Sequence, residues 1–224
     1  MRILRVAILT LAVGSLPRSA RAEEAQPCDD VEVDYTFAAN LELADTPMGQ
    51  GNGTHRIGPG FARVRFSKDG SAQLVAYGTT ERLVVEAHAL FWKTTVKSDS
   101  RTTVGADACG VVATGRLEGS TLEWTTDLHG VRTDGTLTCD GSLCGSFGAP
   151  PPGRSPLHVP PHDVHFYPWT FSPDGKTFTM PRTWVSHTES PSQTAFITLA
   201  GRETKRTCVK PAPRCAQSEK SLVR

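Results

Sequence analysis

The stretch VEVDYTFAANLEL, residues 31–43, decides the fold class because apolar and polar side chains alternate along it. Every odd-numbered position is apolar, whereas most even-numbered positions carry polar or charged side chains. Successive side chains of a β-strand point to opposite faces, so a period of two predicts a long strand with one buried face and one wet face. On a helix, the same apolar residues would be scattered around the axis.

Strand-like composition continues along most of the chain and is interrupted by turn signals. Residues 83–91 repeat the odd-position pattern and predict a second long strand. Tight connections are predicted at three places that contain Asp-Gly: Lys68-Asp69-Gly70, Asp140-Gly141 and Ser172-Pro173-Asp174-Gly175. No apolar pattern with helical spacing persists, so we expect little helix beyond the N-terminal segment discussed below.

We therefore predict an all-β protein, an antiparallel meander of about ten strands that closes as a β-barrel, with a β-sandwich as the alternative. Pairing of the first strand with the last would remove both edges of the sheet. The proline-rich segment 149–161 predicts a surface crossing, because proline lacks the N–H that a strand ladder needs. Residues 23–224 are expected to form a single β-domain, with segment 149–161 as the place for any internal boundary.

The first 22 residues have the features of a signal peptide. Arg2 and Arg5 come before an apolar run that is too short to cross a bilayer as a helix. Ala20-Arg21-Ala22 supplies the small residues that a cleavage site needs. We expect the protein to be exported, secreted or periplasmic after cleavage near Ala22, and an uncleaved membrane anchor is the alternative.

The charge of the predicted mature chain excludes some partners. Cleavage would remove four of the 24 Lys and Arg residues and none of the 23 Asp and Glu residues, leaving a net charge of −3. No basic run or stripe is left, so we do not expect nucleic acid as a partner. Attachment to an anionic membrane surface is disfavoured for the same reason.

All six cysteines follow the predicted cleavage site, and an even number in an exported chain predicts up to three disulfides. Cys139 and Cys144 flank a predicted hairpin loop, where facing Cα atoms lie about 4.5–5.5 Å apart, within disulfide range. Cys28 precedes the first strand and Cys208 follows the last, so barrel closure predicts that these two pair. A local bond between Cys208 and Cys215 is the alternative.

Three histidines, His158, His162 and His165, fall within eight residues and are the best candidates for a metal site. Neutral imidazoles bind zinc or copper, and three of them would leave a position open for water. The alternative is a solvated loop without a cofactor. Two prolines separate the first two histidines, and catalytic ligands are usually held on rigid elements.

Other chemical signatures are weak or missing. The sequence has no nucleophile elbow, no His-Glu-x-x-His, no Walker loop and no dinucleotide fingerprint. Carboxylates that could act as the acid and base of a glycosidase-like cleft are Glu81, Glu86, Asp127 and Asp134, although nothing in their spacing separates them from solvated strand faces. The tryptophans, which could line a ligand site but more often pack in a core, are Trp92, Trp124, Trp169 and Trp184.

Export, strand patterning and the missing motifs together favour a non-enzymatic binding protein. Its partner would be a small apolar molecule inside the barrel or an envelope component on the surface. A metal-dependent enzyme that uses the three clustered histidines is one alternative. A structural or adhesive surface protein is another, and a flat exposed aromatic face would be its mark.

Overall fold

A computed structural model describes residues 28–44, 53–89, 92–146, 149–189 and 192–210, and the predicted signal peptide lies outside these ranges. The described residues form eleven strands and no helix, which confirms the all-β prediction. The strands are β1 (Asp30–Ala44), β2 (Gly53–Ser67), β3 (Ser71–Ala89), β4 (Trp92–Thr103), β5 (Ala113–Glu118), β6 (Thr121–Trp124), β7 (Leu128–Gly141), β8 (Gly153–Val164), β9 (Trp169–Phe171), β10 (Thr177–Glu189) and β11 (Ser192–Val209). Within the described ranges, no helix has the length and apolarity needed to cross a membrane.

Eight of the strands close into an antiparallel barrel in the order β2-β1-β11-β10-β9-β6-β5-β3, and pairing of β3 with β2 completes the circle. The first strand pairs with the last along its whole length, from Asp30 opposite Val209 to Ala44 opposite Thr194. The prediction of a barrel, closed by the first and last strands, is therefore confirmed. Closure satisfies the backbone groups that an open sheet would leave at its edges.

The 19-residue strand β3 belongs to two parts of the sheet. Its first part pairs with β2 on one side and with β5 on the other, whereas residues 78–89 pair with β4. Strands β7 and β8 continue the sheet outward from β4. We call residues 79–89 of β3 together with β4, β7 and β8 the arm, because they extend the sheet beyond the barrel.

Side chains fill the interior of the barrel. The rings that contact one another there belong to Tyr35, Phe37, Phe66, Tyr77, Trp124, Phe166, Trp169, Phe171 and Phe178. Aliphatic side chains such as Val33, Val64 and Leu74 are fully buried beside them. The interior of an eight-stranded barrel is just wide enough to be filled by its own side chains. The rings therefore occupy the space in which a ligand inside the barrel would lie.

Glycines opposite the aromatic residues let the rings lie directly on neighbouring strands. Phe37 faces Gly60 on β2 and Gly201 on β11, and Phe178 faces Gly201 from the other side. A Cβ added to Gly60 would overlap the ring of Phe37, and one added to Gly201 would overlap the ring of Phe178. Glycine is needed at these two positions for space, since the rings cover its backbone.

Substitution of Gly201 by valine tests this arrangement. We expect Gly201→Val to lower the free energy of unfolding by about 1–3 kcal/mol, because the ring of Phe178 must move. Ala200→Val is the matched control, since residue 200 is exposed on the same strand, and its effect should stay within about 0.5 kcal/mol. Urea unfolding measures both variants, and equal midpoints for the two would contradict the packing argument.

Two sequence predictions about the arm were wrong. Segment 149–161 was expected as a surface crossing, but residues 153–164 form the edge strand β8. An edge strand uses only half of its N–H groups for pairing, so prolines are tolerated there, and Pro160 and Pro161 fall at a register shift. The hairpin predicted around Cys139 and Cys144 also required a second strand that begins at Cys144. Residues 142–146 form turns instead, and β7 pairs with β8.

Both predicted disulfides are present. The Cα atoms of Cys139 and Cys144 are 5.8 Å apart, and those of Cys28 and Cys208 are 5.3 Å apart. The second bond excludes the alternative in which Cys208 pairs locally. Cys109 is also disulfide-bonded, and none of the described cysteines is free. A fully oxidised set of cysteines is typical of proteins that fold outside the cytosol.

Candidate functional site

The three clustered histidines lie on β8 and just after it, but their side chains do not converge. Each imidazole contacts a different group: His158 Nδ1 lies 2.6 Å from Asp134 Oδ1, His165 Nδ1 lies 2.8 Å from Asp127 Oδ1, and His162 Nδ1 lies 3.0 Å from the carbonyl oxygen of Pro160. In the described part of the chain, no group of three or more His, Cys, Asp or Glu side chains could hold a metal ion. The hypothesis of a zinc or copper enzyme therefore has no support from the geometry.

The histidine–aspartate contacts form a polar surface along β7 and β8. Asp134 accepts hydrogen bonds from His158 and Arg132, which lower the pKa of its carboxyl group. A hydrogen bond from His129 likewise lowers the pKa of Asp163. These side chains are largely exposed to solvent, where ion pairs contribute little to stability. The arrangement is that of a solvated strand face.

The four carboxylates that could have formed an acid–base pair have separate partners. Asp127 and Asp134 contact histidines, as described above, and Glu86 Oε1 lies 2.9 Å from Lys93 Nζ. Glu81 accepts hydrogen bonds from a set of hydroxyl groups, those of Thr79, Ser100 and Thr102. Side chains alternate along β3, so Glu81 and Glu86 lie on opposite faces of the arm. A glycosidase-like pair of these two is therefore excluded.

The tryptophans divide between core and surface. Trp169 is fully buried in the barrel, and Trp124 packs against it with 5.2 Å between ring centroids. The packing interpretation is confirmed for these two residues. Trp92, at the far end of the arm, is 56% exposed, and the side chain of Trp184 lies outside the described residues. The indole N–H groups of Trp124 and Trp169 are buried and have no hydrogen-bond partner among the described residues.

A groove of about 670 Å³ crosses the outer wall of the barrel over β2, β1, β11 and β10. Its lining residues are Thr36, Phe37, Ala38, Arg56, Gly58, Pro59, Thr177, Phe178, Thr179, Ala200, Gly201 and Arg202. The set contains two arginines, three threonines and no carboxylate. We call it the outer-wall groove.

Small residues and a bulge create the depression. Ala38 and Ala200 face each other across β1 and β11, and neither side chain reaches far above the sheet. The register of β1 with β2 shifts between Phe37 and Ala39, so two residues, Gly58 and Pro59, lie opposite Ala38. A bulge of this kind bends a strand away from its neighbour. Gly58 has φ +128°, a backbone conformation that other residues rarely adopt.

The two arginines of the outer-wall groove have no acidic partner in the part of the chain that the structure describes. Other arginines on the same wall have carboxylate partners, namely Arg63 with Asp34, Arg65 with Glu32 and Arg182 with Glu42. Arg56 and Arg202 form no ion pair with any residue that the structure describes. Arg202 lies directly opposite Thr36 on one side and Thr177 on the other, so threonines are its neighbours on both adjacent strands.

No pattern in the sequence indicates this groove. Ala38 and Ala200 occupy ordinary outward positions of alternating strands, and only closure of the barrel brings β2 and β10 to either side of them. Composition does not single out the two arginines either, because basic and acidic residues are nearly equal in number in the sequence. Comparison with known proteins found no matching family model, no matching curated protein and no matching solved structure, so the groove is interpreted from its own chemistry.

Proposed function

We propose that this protein is an exported, non-enzymatic binding protein that holds an anionic component of the cell envelope in the outer-wall groove. The observation that carries the proposal is the presence of Arg56 and Arg202 in a groove whose lining contains no carboxylate, since neither arginine has an ion-pair partner among the described residues. The aromatic rings inside the barrel favour this outer surface over an apolar ligand site in the interior.

The groove has the chemistry to recognise phosphate or carboxylate groups. A guanidinium donates two parallel hydrogen bonds to such groups, and hydrogen bonds between charged partners are roughly twice as strong as neutral ones. Thr177 and Thr179 are exposed beside Arg202 and Ala200 and add hydroxyl groups that can bond further oxygens. An anionic sugar or a phosphorylated glycan offers both kinds of contact.

The overall charge restricts the size of the ligand. The predicted mature chain is net negative, so the attraction is local to the groove rather than spread over a face. A single anionic strand or a short oligomer suits such a site better than a duplex nucleic acid or a membrane surface, both of which need broad basic patches. The disulfides support export, where such envelope components are found.

Binding of two defined probes tests the proposal. Tripolyphosphate supplies phosphate groups, trigalacturonate supplies carboxylates on sugars, and calorimetric titration at low ionic strength measures both. We expect at least one probe to bind with 1:1 stoichiometry. Arg56→Ala and Arg202→Ala should each weaken binding by about ten- to a hundredfold, because each removes a hydrogen bond to a charged group.

Arg154→Ala is the matched control. Arg154 is an exposed arginine on β8, outside the groove, and it has no ion-pair partner among the described residues. Its substitution should leave the affinity unchanged, whereas neutral dextran oligomers should not bind the unmodified protein at all. Failure of both probes to bind, or an equal loss in the Arg154 variant, would overturn the proposal.

A further inference from the structure

Two edges of the arm pair with no further strand among the described residues, and they differ in how they are protected. The edge strand β8 carries Pro156, Pro160 and Pro161, which lack the N–H that a further strand would need. The other edge is formed by residues 80–89 of β3, which pair only with β4 in the described structure. We call it the β3 edge. It contains no proline, glycine or lysine, and its register with β4 is unbroken.

A long edge without such protection is a site at which another strand can add to the sheet. We propose that a second copy of this chain occupies the β3 edge. The two edges pair antiparallel about a two-fold axis at Val84 and join two arms into one continuous sheet. In this arrangement Val84 faces Val84 of the second copy, and Arg82 faces Glu86 of the second copy.

The exposed face of the β3 edge is complementary to itself in this register. Arg82, Val84 and Glu86 lie on one face, because side chains alternate along the strand. Within one chain, Arg82 Nε lies 3.9 Å from Asp99 Oδ2, and Glu86 Oε1 lies 2.9 Å from Lys93 Nζ. Pairing therefore extends an alternating row of charges across the axis, and opposite charges on facing residues stabilise a strand pair.

The apolar residues of the edge support the same register. Val84 is 49% exposed and is among the few large apolar side chains that the described residues leave in solvent. At the axis it would be covered by its own counterpart. On the other face, the half-buried Leu83 would lie opposite Val85 of the second copy.

Neighbouring registers are unfavourable. An axis at Arg82 or at Glu86 would place like charges directly opposite each other. A shift of the axis by one residue, to Val85, would place Val84 opposite Glu86. The segment after Lys210 is less suited than a second copy to pair with the β3 edge. It begins with Pro211 and Pro213, which have no backbone N–H to donate to that edge.

Charge exchange at the edge tests the dimer by sedimentation velocity. The unmodified protein is expected to sediment with twice the mass of one chain. Arg82→Glu alone and Glu86→Arg alone should each sediment as monomers, because like charges then face each other twice. An equimolar mixture of the two variants should regain the dimer mass, because both facing pairs again join Glu to Arg. A monomeric unmodified protein, or a mixture that stays monomeric, overturns the proposal.

A cysteine cross-link tests the register independently. Val84→Cys should form a covalent dimer under mild oxidation, because the axis places the two Cα atoms about 4.5–5.5 Å apart. Arg82→Cys is the matched control on the same face. Its two copies would lie four residues apart along the strands, roughly 13 Å, and should not cross-link. Cross-linking of the control in preference to Val84→Cys would overturn the axis.

Discussion

Replacement of Cys28 and Cys208 by serine is expected to lower the free energy of unfolding by about 5 kcal/mol. The bond joins residues separated by 180 positions, so it closes almost the whole described chain into one loop. The entropy that a cross-link removes from the unfolded chain grows with the logarithm of loop length. The loss is comparable with the entire stability of many domains, so the variant should be close to unfolding at ordinary temperature.

The short disulfide provides the matched comparison. Cys139 and Cys144 are separated by five positions, and their replacement by serine should cost only about 2 kcal/mol. Urea unfolding of the two double-serine variants, with the remaining disulfides oxidised, measures the difference. If both variants lost the same stability, loop entropy could not be the main contribution of the long bond.

Trp169→Ala is expected to cost about 3–5 kcal/mol, the second largest effect. The side chain is fully buried, and its ring stacks on Phe178 with 4.1 Å between centroids. The rings of Trp124 and Phe166 meet it edge-on at 5.2 and 5.4 Å. These neighbours lie on β6, on β10 and in the connection before β9, so they cannot all move into the space that alanine would leave.

Trp169→Phe distinguishes the contribution of ring packing from that of the indole N–H group. The buried indole N–H of Trp169 has no hydrogen-bond partner in the described ranges. Phenylalanine removes this unsatisfied donor and keeps the stack on Phe178. We therefore expect this variant to lose less than half as much stability as Trp169→Ala in the same thermal and urea unfolding experiments. Equal losses would indicate that the N–H group contributes a stabilising bond.

The features that the sequence predicted correctly depend on local patterns or on the two ends of the chain. Alternation over residues 31–43 predicted β1, which the structure places at Asp30–Ala44. The Lys68-Asp69-Gly70 signal predicted the turn between β2 and β3, where the Gly70 N–H donates to the Ser67 carbonyl oxygen. The bond from Cys28 to Cys208 followed from the assumption that the first and last strands are neighbours.

The features that the sequence did not predict depend on which strands become neighbours. The prolines of β8 argued against a strand in the sequence. They are tolerated because β8 lies at an edge of the sheet, where half of the N–H groups need no partner strand. The three histidines were close in sequence, but neighbouring strands supplied each with a different partner. The outer-wall groove joins residues from four strands across the closure of the barrel, so no single stretch of sequence contains its pattern.

Gly78 marks the point at which β3 leaves the barrel. Residues 72–74 have neighbours on both sides in β2 and β5, Gly78 and Thr79 pair with β2 and β4, and residues 80–89 pair with β4 alone among the described strands. Amide protons exchange with solvent through local opening, which is easier where a strand is bonded on one side only. Amide protons in the barrel part of β3 are therefore expected to exchange more slowly than those of residues 80–89. We therefore expect the β3 edge to open locally while the barrel stays closed, and a partner at that edge should slow exchange up to this glycine without changing exchange in the barrel.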